Sequence, residues 1–314
     1  MKKLLMTAAV ASLMTTSAMA ETVGVSMALF DDNFLTVLRN GMIEQAKGMD
    51  GVTLQVEDAQ NDVAKQLDQI NNFIASGVDA IIVNPVDTSA TEAMSAAAAA
   101  ANVPLVYVNR QPINVDSLPD NQAFVASDER ESGTLETIEV CDIFAREGKN
   151  PARVYVLMGE LSNQAAVQRT ADIHDVIDGG KCAVTLEIIA EQTANWSRDQ
   201  AQDLMTNWLS TGEAFDGVIS NNDEMAIGAI QAMKAAGKDM KDVVVAGVDA
   251  TQDALAAMAA GDLDVTVFQD AAGQGAGALD AALKLSKGEA VERKVYIPFQ
   301  LVTPANMENY TKKN

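Results

Sequence analysis

Short apolar runs alternate with longer amphipathic stretches along most of the chain. The clearest case begins at residue 217, where a short apolar run ends in Asn221 and Asn222 and the apolar period then lengthens to that of a helix. We expect Asp223 to cap this helix, because a short side-chain acceptor can bind its first free N–H groups. Parallel strands with crossover helices are typical of such a rhythm, so the sequence predicts an α/β fold.

The pattern restarts after a turn-rich segment at 148–151, which divides the chain into two halves of similar α/β design. In open α/β sheets, ligands bind outside the carboxyl ends of the strands, so polar residues at those ends are the first candidates for function. The predicted strands cover 22–28, 52–58, 79–84, 104–109, 123–128, 153–159, 184–190, 217–222, 243–249, 264–270 and 295–302.

Residues 1–20 have the features of a secretory signal peptide. Lys2 and Lys3 precede a mostly apolar run at 4–13, and Ala18 and Ala20 form a small-x-small cleavage site. The apolar run is too short to span a bilayer, and these cues together outweigh the alternative of a buried N-terminal helix. The sequence therefore predicts an exported protein whose mature chain begins at Glu21.

The composition excludes several classes of function. The formal net charge is −22 and the acidic residues are spread along the chain, so nucleic acids and anionic lipid surfaces are not expected partners. His174 is the single histidine, which argues against a metal site and against a Ser–His–Asp arrangement. Cys141 and Cys182 permit one disulfide in an exported protein, and two separate buried thiols are an equal alternative.

A glycine motif at 273–278 fits the pattern G-x-G-x-x-A of a dinucleotide-binding turn. That fingerprint needs an acidic strand end about twenty residues further on, which the chain lacks. Small residues that let a helix pack closely explain the motif better. We therefore expect no cofactor.

Polar and aromatic residues from both halves stand at the predicted strand ends. Carboxylates, amides and a guanidinium are planar groups that can each bridge neighbouring hydroxyls, and aromatic faces suit the C–H faces of a ring. Each residue alone could be a helix cap or a core group, but the joint pattern predicts a site for an uncharged polyhydroxylated ring. The candidates are Phe30, Asp31, Asp32, Phe34, Asn109, Arg110, Trp196, Asn222, Asp249 and Gln269.

Several of these residues lie in motifs that resemble a known family. The motifs are YVNR at 107–110, NDEMAIGA at 222–229, GVDAT at 247–251 and VFQD at 267–270. The mature chain resembles the periplasmic sugar-binding proteins of ABC transporters, in the ribose-binding-like group. FDDNF at 30–34, VNPVD at 83–87, GELSN at 159–163 and QTANW at 192–196 resemble the inositol- and rhizopine-binding subgroup.

The resemblance implies roles for the candidate residues. Phe34 and Trp196 would stack on the two faces of the ligand ring, and Asp32 stands where ribose binders have an asparagine. Asn109 and Arg110 stand where they have Asp and Arg. The family pattern matches residue for residue at Asn222, Asp249 and Gln269. Relatives have an arginine where Val167 stands, and we expect Arg169 to take over that role or the ligand to differ there.

The resemblance also implies an architecture of two Rossmann-like lobes, the type I periplasmic binding protein fold. Three hinge crossovers would join the lobes near 127–128, 269–270 and 298–299. The first lobe would comprise 21–127 with 270–298, and the second 128–269 with 299–314. Closure about such hinges would trap the ligand. The closed form, a monomer in the periplasm, would be recognised by a membrane permease.

These features favour a solute receptor for a cyclitol such as myo-inositol or a rhizopine, and other functions stay open. A different monosaccharide, such as ribose or galactose, would suit the same chemistry. An exported enzyme acting on a sugar could use Asp31, Asp32 or Asp249 as acid and base. A sugar-sensing transcription regulator would need a basic N-terminal helix-turn-helix, where this chain has the predicted signal peptide.

Overall fold

The structure is a computed structural model that describes residues 20–314, so the predicted signal peptide lies outside the described residues except for Ala20. Strands and helices alternate along the chain as the apolar pattern predicts. The strands are β1 (Glu21–Met27), β2 (Val52–Asp58), β3 (Ala80–Val83), β4 (Leu105–Val108), β5 (Gln122–Ala126), β6 (Ala152–Met158), β7 (Leu186–Thr193), β8 (Gly217–Ser220), β9 (Val244–Asp249), β10 (Val265–Phe268), β11 (Lys294–Tyr296) and β12 (Gln300–Val302). The α-helices are α1 (Asn33–Lys47), α2 (Val63–Ser76), α3 (Thr91–Ala100), α4 (Glu129–Glu147), α5 (Gln164–Asp178), α6 (Arg198–Ser210), α7 (Asp223–Ala235), α8 (Gln252–Ala260) and α9 (Ala271–Ser286).

The strands form two six-stranded sheets with the same arrangement. Their orders are β2-β1-β3-β4-β5-β11 and β7-β6-β8-β9-β10-β12. All neighbouring strands are parallel except β10 and β12. We call each sheet with its helices a lobe: α1, α2, α3 and α9 pack on the first sheet, and α4 to α8 pack on or beside the second. The α/β prediction is therefore confirmed.

The core of each lobe follows from strands that are buried on both faces. All four side chains of β3 are buried, and β3 pairs in parallel with β1, where Val25 lies opposite Ile82. Near-continuous apolar runs are typical of parallel strands covered by helices on both sides. Between the two strands, α2 is capped by Asp62 and ends at Gly77, whose φ of 74° is left-handed.

The glycine motif at 273–278 brings α9 close to α1. A Cβ at Gly275 would lie 2.6 Å from the backbone oxygen of Leu38, so a larger residue would push the two helices apart. Close helix packing therefore accounts for the motif, as the sequence analysis favoured over dinucleotide binding.

The chain passes between the lobes three times: between β5 and α4, between β10 and α9, and between β11 and β12. The prediction of one strand over 295–302 is wrong. The segment forms two short strands because the chain leaves the first sheet after Tyr296 and pairs with the second sheet from Gln300. Pro298, which has no N–H to donate to a ladder, lies in the gap.

The expected cap at Asp223 is also wrong. Asn222 is the capping residue of α7, and its side-chain oxygen accepts a hydrogen bond from the Met225 N–H at 3.0 Å. The Asp223 carboxylate is buried and accepts hydrogen bonds from the Thr251 N–H at 2.9 Å and the Thr266 hydroxyl at 2.8 Å instead. This carboxylate therefore ties the start of α7 to the start of α8 and to β10.

Cys141 in α4 and Cys182 before β7 form a disulfide, with their Cα atoms 5.3 Å apart. The alternative of two separate thiols is therefore wrong. Within residues 20–314, no helix combines the length and apolar character needed to cross a membrane.

Candidate functional site

A cavity lies between the two lobes. It is bounded by the segments that follow the carboxyl ends of β1, β4, β6, β7, β8, β9 and β10, where an open α/β sheet binds its ligands. The lining residues are Asp32, Phe34, Leu35, Asn109, Arg110, Asn163, Ala165, Arg169, Trp196, Asn222, Asp249 and Gln269. We call it the inner cavity.

The structure brings together the candidate residues except Phe30 and Asp31. Phe30 lines neither this cavity nor the outer one described below; its ring packs on the core of the first lobe, under the Arg39 guanidinium, whose Cζ lies 4.1 Å from the ring centroid. Asp31 is exposed and lines the outer cavity instead. The chain bends after β1, so Asp32, Phe34 and Leu35 line the inner cavity, whereas Phe30, Asp31 and Asn33 do not.

The planar groups of the first lobe are each held by the protein on one side. The Asp32 Oδ1 atom caps α1 by accepting from the Leu35 N–H at 2.8 Å. The Asn109 amide accepts from Asn84 at 3.2 Å and donates to Gln274 at 3.3 Å. Arg110 donates through Nη1 to the Pro85 backbone oxygen at 3.0 Å. The second Asp32 oxygen and the remaining Arg110 N–H groups have no hydrogen-bond partner among residues 20–314.

The second lobe anchors Asn222 and Gln269 in the same way, but not Asp249. Asn222 uses Oδ1 as the cap of α7, which leaves its Nδ2 group with only a long contact of 3.5 Å to the Trp196 backbone oxygen. Gln269 accepts from Arg169 at 3.3 Å, and its Nε2 group is buried without a partner in the described chain. The Asp249 carboxylate receives no hydrogen bond from residues 20–314, although Arg169 is close enough to attract it electrostatically.

Arg169 reaches the cavity, whereas Val167 is 51% exposed on the outer side of α5. The Arg169 guanidinium binds Glu129 through two hydrogen bonds of 2.7 and 3.0 Å and donates to the Asn221 backbone oxygen at 2.7 Å. The side chains of Arg169 and Glu129 are each only 4% exposed. This buried ion pair holds the arginine beside Asp249 and Gln269.

The two aromatic residues that line the inner cavity come from opposite lobes. Phe34 belongs to the core of the first lobe, and Trp196 packs against the core of the second. Trp196 has a φ of 62°, and its buried Nε1–H has no partner within the described residues. Positive φ angles also occur at Asn109 (67°) and Asp249 (124°). Strained backbone of this kind is concentrated at binding sites, where the surrounding structure holds it in place.

Burial shifts the pKa values of the ionisable groups in the cavity. It raises the pKa of Asp249 well above its usual range, and Arg169 opposes that increase. Burial also raises the pKa of Asp32, against the Leu35 hydrogen bond and Arg110. It lowers the pKa of Arg110, against Glu160 and Asp32. Polar groups removed from water in this way gain from any ligand that replaces the lost hydrogen bonds.

A second, outer cavity lies at the mouth of the cleft and shares Asp32, Arg110 and Trp196 with the inner one. Side chains from the two lobes bind each other across it. Asn33 donates to Glu224 at 2.7 Å, and Asn61 donates to Glu160 at 2.6 Å. These contacts hold the lobes against each other. Among residues 20–314, no three His, Cys, Asp or Glu side chains converge as a metal site would require.

A family model described as a periplasmic binding protein domain matches residues 23–290. The chain belongs to the periplasmic binding protein family. The "Putative rhizopine-binding protein" of Rhizobium meliloti is 65% identical over 314 residues, which cover all of both chains. Family members of this type are solute-binding proteins rather than enzymes, and their location is the periplasm.

Solved structures of periplasmic binding proteins share the fold. A solute-binding protein of an ABC transporter from Bacillus halodurans with bound myo-inositol is 40% identical, with a TM-score of 0.87 over 96% of this chain and 100% of that one. The Caulobacter myo-inositol binding protein bound to myo-inositol is 28% identical, with a TM-score of 0.82 over 93% and 96%. The expected type I periplasmic binding protein fold is therefore confirmed.

Three lining residues of this periplasmic binding protein, and the partner of Arg169, were not among the residues predicted from the sequence. Asn163 and Ala165 follow β6 at the start of α5, so the rule of strand ends could have found them. Leu35 lies in the first turn of α1 and carries no polar signal. Glu129 begins α4, which follows an interlobe crossover, and only the fold brings it to Arg169.

Proposed function

We propose that this periplasmic binding protein binds a cyclitol, such as myo-inositol or a rhizopine, between its lobes and delivers it to the permease of an ABC importer. The supporting observation is that most planar groups of the inner cavity are anchored to the protein on one side and keep unpaired atoms on the other, and that the Asp249 carboxylate receives no hydrogen bond from residues 20–314. The unpaired atoms include donors, such as Gln269 Nε2, and acceptors, such as the Asp249 carboxylate. A hydroxyl both donates and accepts, so a ring with a hydroxyl on every carbon can pair with all of them.

The comparisons support this choice within the family. The Rhizobium meliloti relative carries the name of a rhizopine-binding protein, and the Bacillus halodurans and Caulobacter structures contain myo-inositol. Phe34 and Trp196, on opposite lobes, supply apolar surfaces for the C–H faces of such a ring. Asp32, Asn109, Arg110, Arg169, Asn222, Asp249 and Gln269 would supply the hydrogen bonds.

Binding would be coupled to closure of two lobes, 21–127 with 270–298 and 128–269 with 299–314. The three crossovers would act as hinges, because they alone continue the chain from one lobe to the other. A ligand that contacts both lobes favours the closed state, since the open state offers fewer contacts. Small-angle scattering should show a more compact protein on saturation with ligand, and an unchanged radius of gyration would contradict closure.

Export would precede this function. Lys2, Lys3 and the Ala18–Ala20 site support cleavage after Ala20, and the periplasmic monomer would begin at Glu21. Mass spectrometry of the protein recovered from the periplasm should give the mass of the chain from Glu21. A protein that retains residues 1–20 there would contradict the assignment.

Calorimetry tests the ligand and the site together. We expect myo-inositol or a close cyclitol to bind with a dissociation constant near or below about 1 μM, which is about 8 kcal/mol. Asp249→Ala should weaken binding by roughly 1.5–3 kcal/mol, because ligand hydroxyls lose a buried charged acceptor. Trp196→Ala should cost a comparable amount through lost stacking and a more open cavity.

The outcomes of this experiment separate the alternatives. If cyclitols give no heat while ribose or galactose binds tightly, the ligand class is wrong and the monosaccharide alternative takes its place. If both variants bind like the parent, the site is wrong. Recovery of the ligand unchanged after prolonged incubation is expected of a receptor, and its turnover would favour the enzyme alternative.

A further inference from the structure

Asn163 is a completely buried polar residue that lines the inner cavity. Its Oδ1 atom accepts no hydrogen bond from the described residues. A buried amide oxygen left without a donor costs free energy, so a position of this kind calls for a partner that the protein alone does not supply.

The backbone of Asn163 gives its side chain an obvious internal use, which it does not take. Asn163 is the N-cap residue of α5, with φ −104° and ψ 126°, yet its side chain makes no capping hydrogen bond. The two other cavity residues at N-cap positions, Asp32 and Asn222, both cap their helices. A missing cap lowers the stability of a helix, so another contact must determine the direction of the Asn163 amide.

Glu160 sets that direction. The Asn163 Nδ2 group donates to Glu160 Oε2 at 3.0 Å. An ionised carboxylate can only accept hydrogen bonds, so it selects the NH₂ end of the amide and turns the oxygen away from itself. The unpaired atom of this cavity-lining residue is therefore an acceptor rather than a donor.

Glu160 is in turn fixed by the opposite lobe. Its other oxygen, Oε1, accepts from Asn61 Nδ2 at 2.6 Å across the cleft. Asn61, Glu160 and Asn163 thus form a chain of hydrogen bonds that runs from the first lobe, along the rim of the cleft, to the inner cavity. The contact to Asn61 exists only while the lobes are together, so closure and the orientation of the Asn163 amide support each other.

We propose that Asn163 binds the ligand by accepting a hydrogen bond from one ring substituent through Oδ1, with Glu160 and Asn61 as positioning residues. This inference rests on the proposed function and deepens it. The substituent at that ring position must be a hydrogen-bond donor, which a free hydroxyl or an amine is and a methyl ether or a ketone is not. Asn163 therefore contributes to discrimination among cyclitols that differ at a single carbon.

The decisive experiment combines a protein variant with a panel of ligands. Asn163→Leu keeps the size of the side chain and removes the acceptor, and Leu161→Ala, at an exposed position on the same loop, is the matched control. Calorimetry is run with myo-inositol and with monodeoxy and mono-O-methyl inositols that cover the ring positions. We expect Asn163→Leu to bind myo-inositol about ten-fold more weakly, which corresponds to 1.4 kcal/mol, while the control binds like the parent.

The ligand panel separates direct contact from a structural effect. One deoxy compound should bind the parent about ten-fold more weakly than myo-inositol does. It should bind the parent and Asn163→Leu equally, because it lacks the hydroxyl that would donate to Asn163 Oδ1. A uniform loss across the panel, or no loss at all, would overturn the proposal.

Glu160→Ala provides a second test at the rim, where the side chain is only partly buried and folding is not at risk. Loss of the Asn61 contact should weaken every ligand by the same factor. The freed amide of Asn163 should lower affinity about three-fold further, and only for ligands that carry the hydroxyl. Equal weakening for every ligand would reduce Glu160 to a closure contact and overturn its positioning role. If the parent binds no cyclitol, the proposed function fails, and the same variants decide this inference with deoxy derivatives of the sugar that does bind.

Discussion

Gly159 lies directly against the indole ring of Trp196. A Cβ at this position would overlap the six-membered part of the ring, so only glycine leaves room for the tryptophan as it stands. The backbone of Gly159 is fixed from two sides, by the Asn221 side chain on its N–H and the Thr193 hydroxyl on its carbonyl oxygen. Since the glycine cannot yield, its surface determines where the indole lies in the cavity.

Gly159→Ala should therefore weaken ligand binding more than it lowers stability. The added methyl group displaces Trp196 from the ligand face, and we expect about a ten-fold or greater loss of affinity by calorimetry. Gly48→Ala, at the exposed end of α1 where a Cβ meets only one atom at ordinary distance, is the control. Parent-like affinity in Gly159→Ala would show that ligand binding does not depend on the placement of the Trp196 indole against residue 159.

The Glu129–Arg169 pair should be essential to the second lobe. Glu129→Ala leaves the Arg169 charge buried with one acceptor fewer, and we expect the free energy of unfolding of the ligand-free protein to fall by about 3–5 kcal/mol. Urea denaturation measures the change. The double variant Glu129→Leu with Arg169→Met should be less destabilised than the sum of the single variants, because it leaves neither charge unpaired. Additive losses would contradict the coupling.

Asp223 should make the stability of the protein depend on pH. Burial raises its pKa from 3.8 to about 7, against the hydrogen bonds from Thr251 and Thr266. The folded protein therefore keeps a proton that the unfolded chain releases. The resulting stabilisation is complete below pH 3.8 and is lost as the pH rises through about 7.

Asp223→Asn removes this titration. Between pH 5 and pH 8 the parent should lose roughly 2–3 kcal/mol more of its free energy of unfolding than the variant does. Denaturation by urea at both pH values gives the difference. The variant also removes the Asp223 charge that helps to raise the pKa values of Asp249 and Glu136, so the measured difference includes their response as well as the titration of Asp223 itself. The same pH slope in both proteins would assign the effect to another group.

Asn33→Ala should weaken binding without affecting the lobes themselves. Asn33 is exposed and donates across the cleft to Glu224, so its loss destabilises only the closed state. We expect a two- to five-fold higher dissociation constant, which is about 0.4–1 kcal/mol. The melting temperature of the ligand-free protein should not change. The control is Asn207→Ala, which changes an exposed asparagine of α6 that forms no hydrogen bond with the other lobe within residues 20–314. Equal affinity of the parent and both variants would show that the Asn33–Glu224 hydrogen bond does not stabilise the closed state.

The fold was largely predictable because parallel strands buried on both faces leave continuous apolar runs, as β3 and β9 do. The failures have local causes. The segment 295–302 is apolar enough for one strand, and its division between two sheets depends on pairing partners far away in the sequence. At the start of α7, both Asn222 and Asp223 are residue types that can cap a helix. Thr251 and Thr266 donate hydrogen bonds to Asp223, which leaves Asn222 as the cap.

The site was predictable where a ligand-type residue ends a strand, as at Asn109, Asn222 and Asp249. It was not predictable where neighbouring residues share the same chemistry: Asp31 and Asp32 differ only in the direction that the bend after β1 gives them. Glu129 could not be inferred, because its role depends on Arg169, forty positions away along the chain.

The late position of α9 and β11 in the chain has a consequence for biosynthesis. A nascent chain that ends at Phe268 contains β1 to β5, but it lacks the helix that packs on α1 and the strand that borders β5. The apolar face of α1 around Leu38 and Met42 therefore stays uncovered until residues 271–296 have been synthesised. The first lobe can therefore complete its core only after most of the second lobe has been synthesised.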